Sequence, residues 1–121
     1  GNYQCVQRDG VRAIRDAVHG DLAASAGMYA WVDTLARALG ADAADQVPFE
    51  KYANAASSLL KPSSAARAID GGAKTIERVD LLVQRIAASI GMQNDLLDET
   101  VAIVNERLAA NRSEAPFIKV A

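Results

Sequence analysis

The chain reads as an all-α bundle, and three observations predict it. Half of its residues are hydrophobic but only 5% are aromatic, so alanine supplies much of the apolar content. Alanine has the best helix propensity, whereas strands favour aromatic and β-branched side chains. Apolar residues recur at intervals of three and four over long stretches, the period of one helical face. All three prolines lie at position 48 or later, which leaves the first third of the chain free of the strongest helix breaker. At 121 residues one core suffices. The expected organisation is a single helical-bundle domain over 1–112 and a non-helical tail over 113–121.

The first stripe runs Val11, Ile14, Val18, Leu22, Tyr29, Val32, Ala36 and Leu39, with Ser25 at the missing step. It predicts one long helix that Gly40 ends, glycine being the common left-handed residue after a helix. Gly10, Gly20 and Gly27 lie within it, each costing about 0.5–1 kcal/mol relative to alanine. They need a packing reason, or the helix breaks near Gly20. Residues 41–47 read as a loop. Pro48 then opens a second helix, where its missing N–H is no loss, and Phe49, Tyr52, Ala56, Leu59 and Leu60 form its apolar face. Pro62 kinks or ends it, Ser63-Ser64 can cap a restart, and Gly71-Gly72 makes the next break.

The third stripe is Ile76, Val79, Val83, Ile86, Ile90, Leu97, Val104 and Leu108. It predicts a helix from Ala73 to Ala110, roughly 55 Å long at 1.5 Å per residue, with a bend at Gly91. Short connections make three long helices an up-down-up bundle with the middle one kinked at Pro62; a four-helix bundle is the alternative. The segment Leu22–Met28 also echoes Ile86–Met92, identical at five of seven positions. Small residues four apart in both, Ala23 with Gly27 and Ala87 with Gly91, would let two parallel helices approach closely.

Thirteen basic and fifteen acidic side chains leave a net charge of −2. That lacks the basic footprint of a nucleic-acid binder. No run reaches the roughly 18 apolar residues of a membrane span. Cys5 is the one cysteine, so neither an intrachain disulfide nor a cysteine zinc site can form. It reads as an incidental thiol near a frayed terminus, with a crosslink to a second chain as the other use. A chain that starts at Gly1 fits processing, and an extracytoplasmic location after loss of a signal or anchor stays open.

Residues with chemistry are sparse. His19 is the only histidine, and Asp95, Asp98 and Glu99 share a helix face without the glutamate-x-x-histidine pattern of di-iron bundles, so no metal or cofactor is expected. Arg8, Arg12, Arg15 and His19 form a short basic stripe suited to carboxylate or phosphate. No Ser-His-Asp set and no phosphate-binding glycine loop nominates a reaction, so an enzyme is not expected. Arg85-Ile86-Ala87-Ala88 followed by Asn94-Asp95 is similar to the last helix of LemA-family proteins. That family's paired arginines and isoleucine-proline-asparagine turn are replaced here by Ala24-Ser25 and Tyr29-Ala30-Trp31, so no family is assigned.

Two functions remain. The first is a non-enzymatic interaction, sensory or adaptor module that self-associates or docks a protein partner through a helix face, because unequal helices would leave apolar surface uncovered. The second is a small-molecule-binding bundle, with Tyr29, Trp31 and Tyr52 lining a cleft and Arg12 and Arg15 at its mouth.

Overall fold

A computed structural model describes the backbone of residues 2–120 and the side chains of residues 2–113. Among the described residues there are six helices: α1 (Ile14–His19), α2 (Leu22–Ala38), α3 (Phe49–Ala56), α4 (Ser64–Asp70), α5 (Val79–Ser89) and α6 (Asp95–Val120). Short 3-10 turns lie at Tyr3–Cys5 and Ala43–Asp45. Among the described residues the sole strand-like feature is one antiparallel bridge between Val6 and Val11. The protein is all-helical, but each expected long helix is divided.

The divisions share a local cause: a residue that stops one helix beside a side chain that starts the next. Gly20 ends α1, and the Asp21 carboxylate accepts the Ala24 N–H at 3.0 Å to cap α2. A Cβ at Gly20 would stand 2.6 Å from the Asp16 carbonyl oxygen, so the turn is built around glycine. Gly91 follows α5 with φ of 78°, and Asn94 Oδ1 accepts the Leu97 N–H at 3.0 Å to cap α6. The middle segment divides at Pro62: α3 ends at Ala56, and Ser63 caps α4 through the Ala66 N–H. Leu59 and Leu60, expected on the apolar face of the second helix, lie beyond α3 and are exposed.

Residues 73–78 are not helical. Their backbone is held by side chains from elsewhere instead of by its own turns. Asn111 donates to the Ile69 and Ala73 carbonyls, and Arg112 donates to that of Lys74. The Tyr3 hydroxyl donates to the Glu77 carbonyl at 2.6 Å and accepts the Val79 N–H at 3.1 Å. At the other end α6 continues to Val120, where a non-helical tail over 113–121 was expected. Ala109, Ala110, Glu114 and Ala115 are strong helix formers, and one proline removes a single hydrogen bond without ending the element. Whether the tail docks on the bundle falls on side chains outside the described residues.

The main core joins the N-terminal segment to α1, α4 and α6 through Cys5, Ala17, Ile69, Val104 and Leu108, with Ile14 and Ile76 packed against it. A smaller cluster of Val18, Ala53 and Ala56 seals α1 against α3. The segment from Asn2 onward is therefore anchored, not frayed, and Cys5 is completely buried. Arg107 accounts for much of the anchoring: its Nη1 donates to the Gln7 and Gly10 carbonyls, both at 2.6 Å. Ser63 Oγ adds a bond to the Asn2 carbonyl at 2.8 Å.

Helix α2 is different. Of its 17 residues only Leu35 is fully buried. The close helix approach expected at the two echoed segments is not what the glycines serve: a Cβ at Gly27 or Gly91 would meet nothing within 4 Å. Gly91 is there for its positive φ, and Gly27 faces open space.

Candidate functional site: an apolar cleft lined by three tyrosines

Because α2 is so incompletely packed, a cleft of about 350 Å³ opens beside it. Met28, Tyr29 and Val32 of α2 form one wall, and Val79 and Val83 of α5 with Leu97 of α6 form another. Tyr52 of α3 and the N-terminal residues Asn2, Tyr3 and Gln4 complete it. All three tyrosines of the chain therefore line one cavity. Its size and mainly apolar lining match those of small-molecule sites, about 300–1,000 Å³ with a few placed polar groups. The mouth is open, since Val32, Val79 and Tyr52 are each more than a third exposed.

The aromatic wall is held in place by ring packing. Tyr29 meets Phe49 edge-on with centroids 5.5 Å apart, and Tyr52 lies 5.2 Å from Tyr29 and 6.1 Å from Phe49. These are favourable aromatic separations. The Tyr29 hydroxyl donates to the Val47 carbonyl, which ties α2 to the loop before α3. The Tyr52 hydroxyl accepts from Asn2 Nδ2 at 3.4 Å. Burial pushes the Tyr52 phenol above its ordinary range, against the smaller opposing effect of the Asn2 bond.

One ionised group, Asp80, lines the cleft, and its charge is already balanced. Its buried carboxylate takes Arg78 Nε and Nη2 in a two-point pair, each bond 3.0 Å. Arg78 Nη1 also reaches Asn105 at 2.7 Å, fixing α5 to α6. Among the described residues the lining holds no lysine, arginine or histidine.

The structure brings together two of the five residues nominated from sequence. Tyr29 and Tyr52 meet in the cleft, and Met28 lies beside them. Trp31 points to a second cavity of about 270 Å³, against Ala87, Ala88, Gly91 and Met92. Neither Arg12 nor Arg15 lines the cleft. Arg12 Nε donates to the Gln4 carbonyl at 3.0 Å, and Arg15 pairs with Asp16 on the surface. The expected basic stripe is dispersed because α1 begins only at Ile14. Arg8 turns to Glu99 and Glu106 of α6, and His19 Nε2 lies 2.8 Å from the Ala53 carbonyl.

Sequence reasoning missed Tyr3, Val79, Val83 and Leu97 as cleft residues. The last three read as ordinary core steps of one long helix, and Tyr3 precedes the first stripe. Among the described residues no group of three His, Cys, Asp or Glu side chains could hold a metal, and no helix is long and apolar enough to cross a membrane. No family model matches the chain, and neither a curated protein nor a solved structure does.

Proposed function

We propose that the chain is a non-enzymatic binding module that holds a small molecule in the cleft beside α2. The observation that carries this reading is the convergence of all three tyrosines on an open, apolar cavity of about 350 Å³. The groups best suited to catalysis are occupied elsewhere: His19 is hydrogen-bonded to backbone, and the Cys5 thiol is buried in the core. A saturating ligand stabilises the folded state by mass action, about 2.7 kcal/mol at a hundred times its Kd. For a chain of this size that raises Tm by roughly 10 °C or more. The test is a thermal-shift screen of neutral aromatic and aliphatic compounds against the wild type and Val83→Phe, which fills the cleft from α5. Shifts that vanish in a folded Val83→Phe support the reading. Shifts that persist in that variant would place binding elsewhere.

A second reading, docking to another copy of the chain, is favoured by the outer face of α5. Leu82, Ile86 and Ile90 follow one another at intervals of four, and Leu82 and Ile90 are about half exposed. Such a stripe suits burial in a symmetric dimer. Light scattering that gives twice 12.8 kDa for the wild type and 12.8 kDa for Leu82→Asp would favour it; a monomeric wild type would end it.

A further inference from the structure

Resting on the cleft as the binding site, the polar groups around it restrict what it can hold. We infer that the cleft takes a neutral, mostly apolar molecule bearing one hydrogen-bond acceptor, which sits on the Tyr52 hydroxyl. Three observations lead there.

The first is charge. An anionic ligand would leave water for a lining with no cationic side chain among the described residues, and burying an unpaired charge is expensive. Arg12 and Arg15, the guanidinium groups nearest in sequence to the α1–α2 turn, are turned to Gln4 and Asp16. A cationic ligand meets the opposite difficulty. The one carboxylate in the lining, Asp80, already holds Arg78 through both oxygens. A cation would have to displace a two-point ion pair that also secures Asn105.

The second is the state of each hydroxyl. Tyr3 both donates and accepts within the protein, to Glu77 and from Val79. Tyr29 donates to Val47, Ser25 to Val18 and Thr100 to Leu96. Tyr52 accepts from Asn2 but donates to no protein group among the described residues. It is the hydroxyl in the lining with a proton still to place.

The third is persistence of that donor. The Tyr52 phenol is protonated at neutral pH, and partial burial raises its pKa further above the ordinary 10.0. Its ring is fixed by Tyr29 and Phe49, so the donor is positioned before a ligand arrives. An acceptor oxygen placed there gains a bond at little ordering cost, while the body of the molecule lies against Met28, Val32 and Val83.

The experiment titrates the full chain by calorimetry with three probes of similar size: an acylnaphthalene, an alkylnaphthalene and a naphthalene carboxylate. Each is repeated with Tyr52→Phe, which keeps the ring and removes the hydroxyl. The acylnaphthalene is expected to bind best, and Tyr52→Phe to weaken it about three- to tenfold while leaving the alkylnaphthalene unchanged. Equal weakening of both neutral probes would overturn the role of the hydroxyl. Tighter binding of the carboxylate than of the acylnaphthalene would overturn neutrality while leaving the cleft as the binding site. Binding of none of the three would overturn the inference together with the reading it rests on. Circular dichroism of Tyr52→Phe verifies that the helices are intact.

Discussion

Replacing Gly20 with alanine gives opposite results for a continuous first helix and for the divided one. In an unbroken helix from Val11 to Leu39, Gly20→Ala would stabilise the protein by about 0.5–1 kcal/mol. In the structure the new Cβ lies 2.6 Å from the Asp16 carbonyl oxygen, well inside the 3.0 Å that real Cβ contacts respect. The neighbour is backbone, so α1 or the turn must give by about 0.4 Å. Overpacking of this kind costs about 1–3 kcal/mol, and after the gain in propensity a net loss of up to about 2.5 kcal/mol is expected. Asp21→Ala sharpens the contrast. Within a continuous helix it improves propensity by a few tenths of a kcal/mol, whereas loss of the cap on Ala24 costs about 1 kcal/mol. Gly27→Ala serves as the internal control, because its Cβ meets nothing and it should stabilise by about 0.5–1 kcal/mol. Urea unfolding of the three variants, followed by circular dichroism, reads all three signs. A rise in midpoint for both Gly20→Ala and Asp21→Ala would refute the division of the helix.

Two further outcomes follow from individual side chains. Gln84 and Gln93 donate to the Asp98 carboxylate at 2.8 and 2.7 Å and hold its pKa below the ordinary 3.8. Stability from this group is therefore complete above about pH 4 and is lost as the pH falls through the lowered folded value; Tm scans should show a shallower acid decline in Asp98→Asn than in the wild type. Cys5 is completely buried, so a thiol reagent should label it only as fast as the N-terminal segment opens, and reductant should not change the solution mass. Immediate stoichiometric labelling of the native chain would contradict the anchored N-terminus.

The all-helical class was legible because it depends on local properties: alanine content, a three-four period and the absence of early proline. The punctuation after residue 47 was legible for the same reason. Pro48 precedes α3, Ser63 caps α4 and Gly72 carries a φ of 97° after it. What misled the reading was continuity. The intervals Val18 to Leu22 and Ile90 to Leu97 keep helical phase across real breaks, since a short turn can preserve phase while redirecting the axis. Asp21 and Asn94 were the corrective signals. A side chain able to cap a helix, placed just after a glycine, marks a new start even when the apolar rhythm continues. Residues 73–78 had no such local mark, because their carbonyls are satisfied by Tyr3, Asn111 and Arg112 from distant parts of the chain.

The candidate site was half legible for a related reason. Tyr29 and Tyr52 could be paired from sequence because α2 and α3 are consecutive helices, and consecutive elements usually lie side by side. Tyr3 could not, since it reaches the cleft only through a non-helical segment fastened by Arg107 and Ser63. That segment serves two surfaces at once: Cys5 closes the core, while Asn2, Tyr3 and Gln4 close the cleft. Tyr3 in turn fixes the start of α5 through Glu77 and Val79, and Val79 is itself a cleft residue. The cleft is thus shaped by a chain of bonds running from the N-terminus to α5, with α2 as its loosely packed wall. A ligand that adds apolar contacts on both sides would supply α2 with the burial that the bundle withholds from it, and this is why binding and the stability of α2 should rise together.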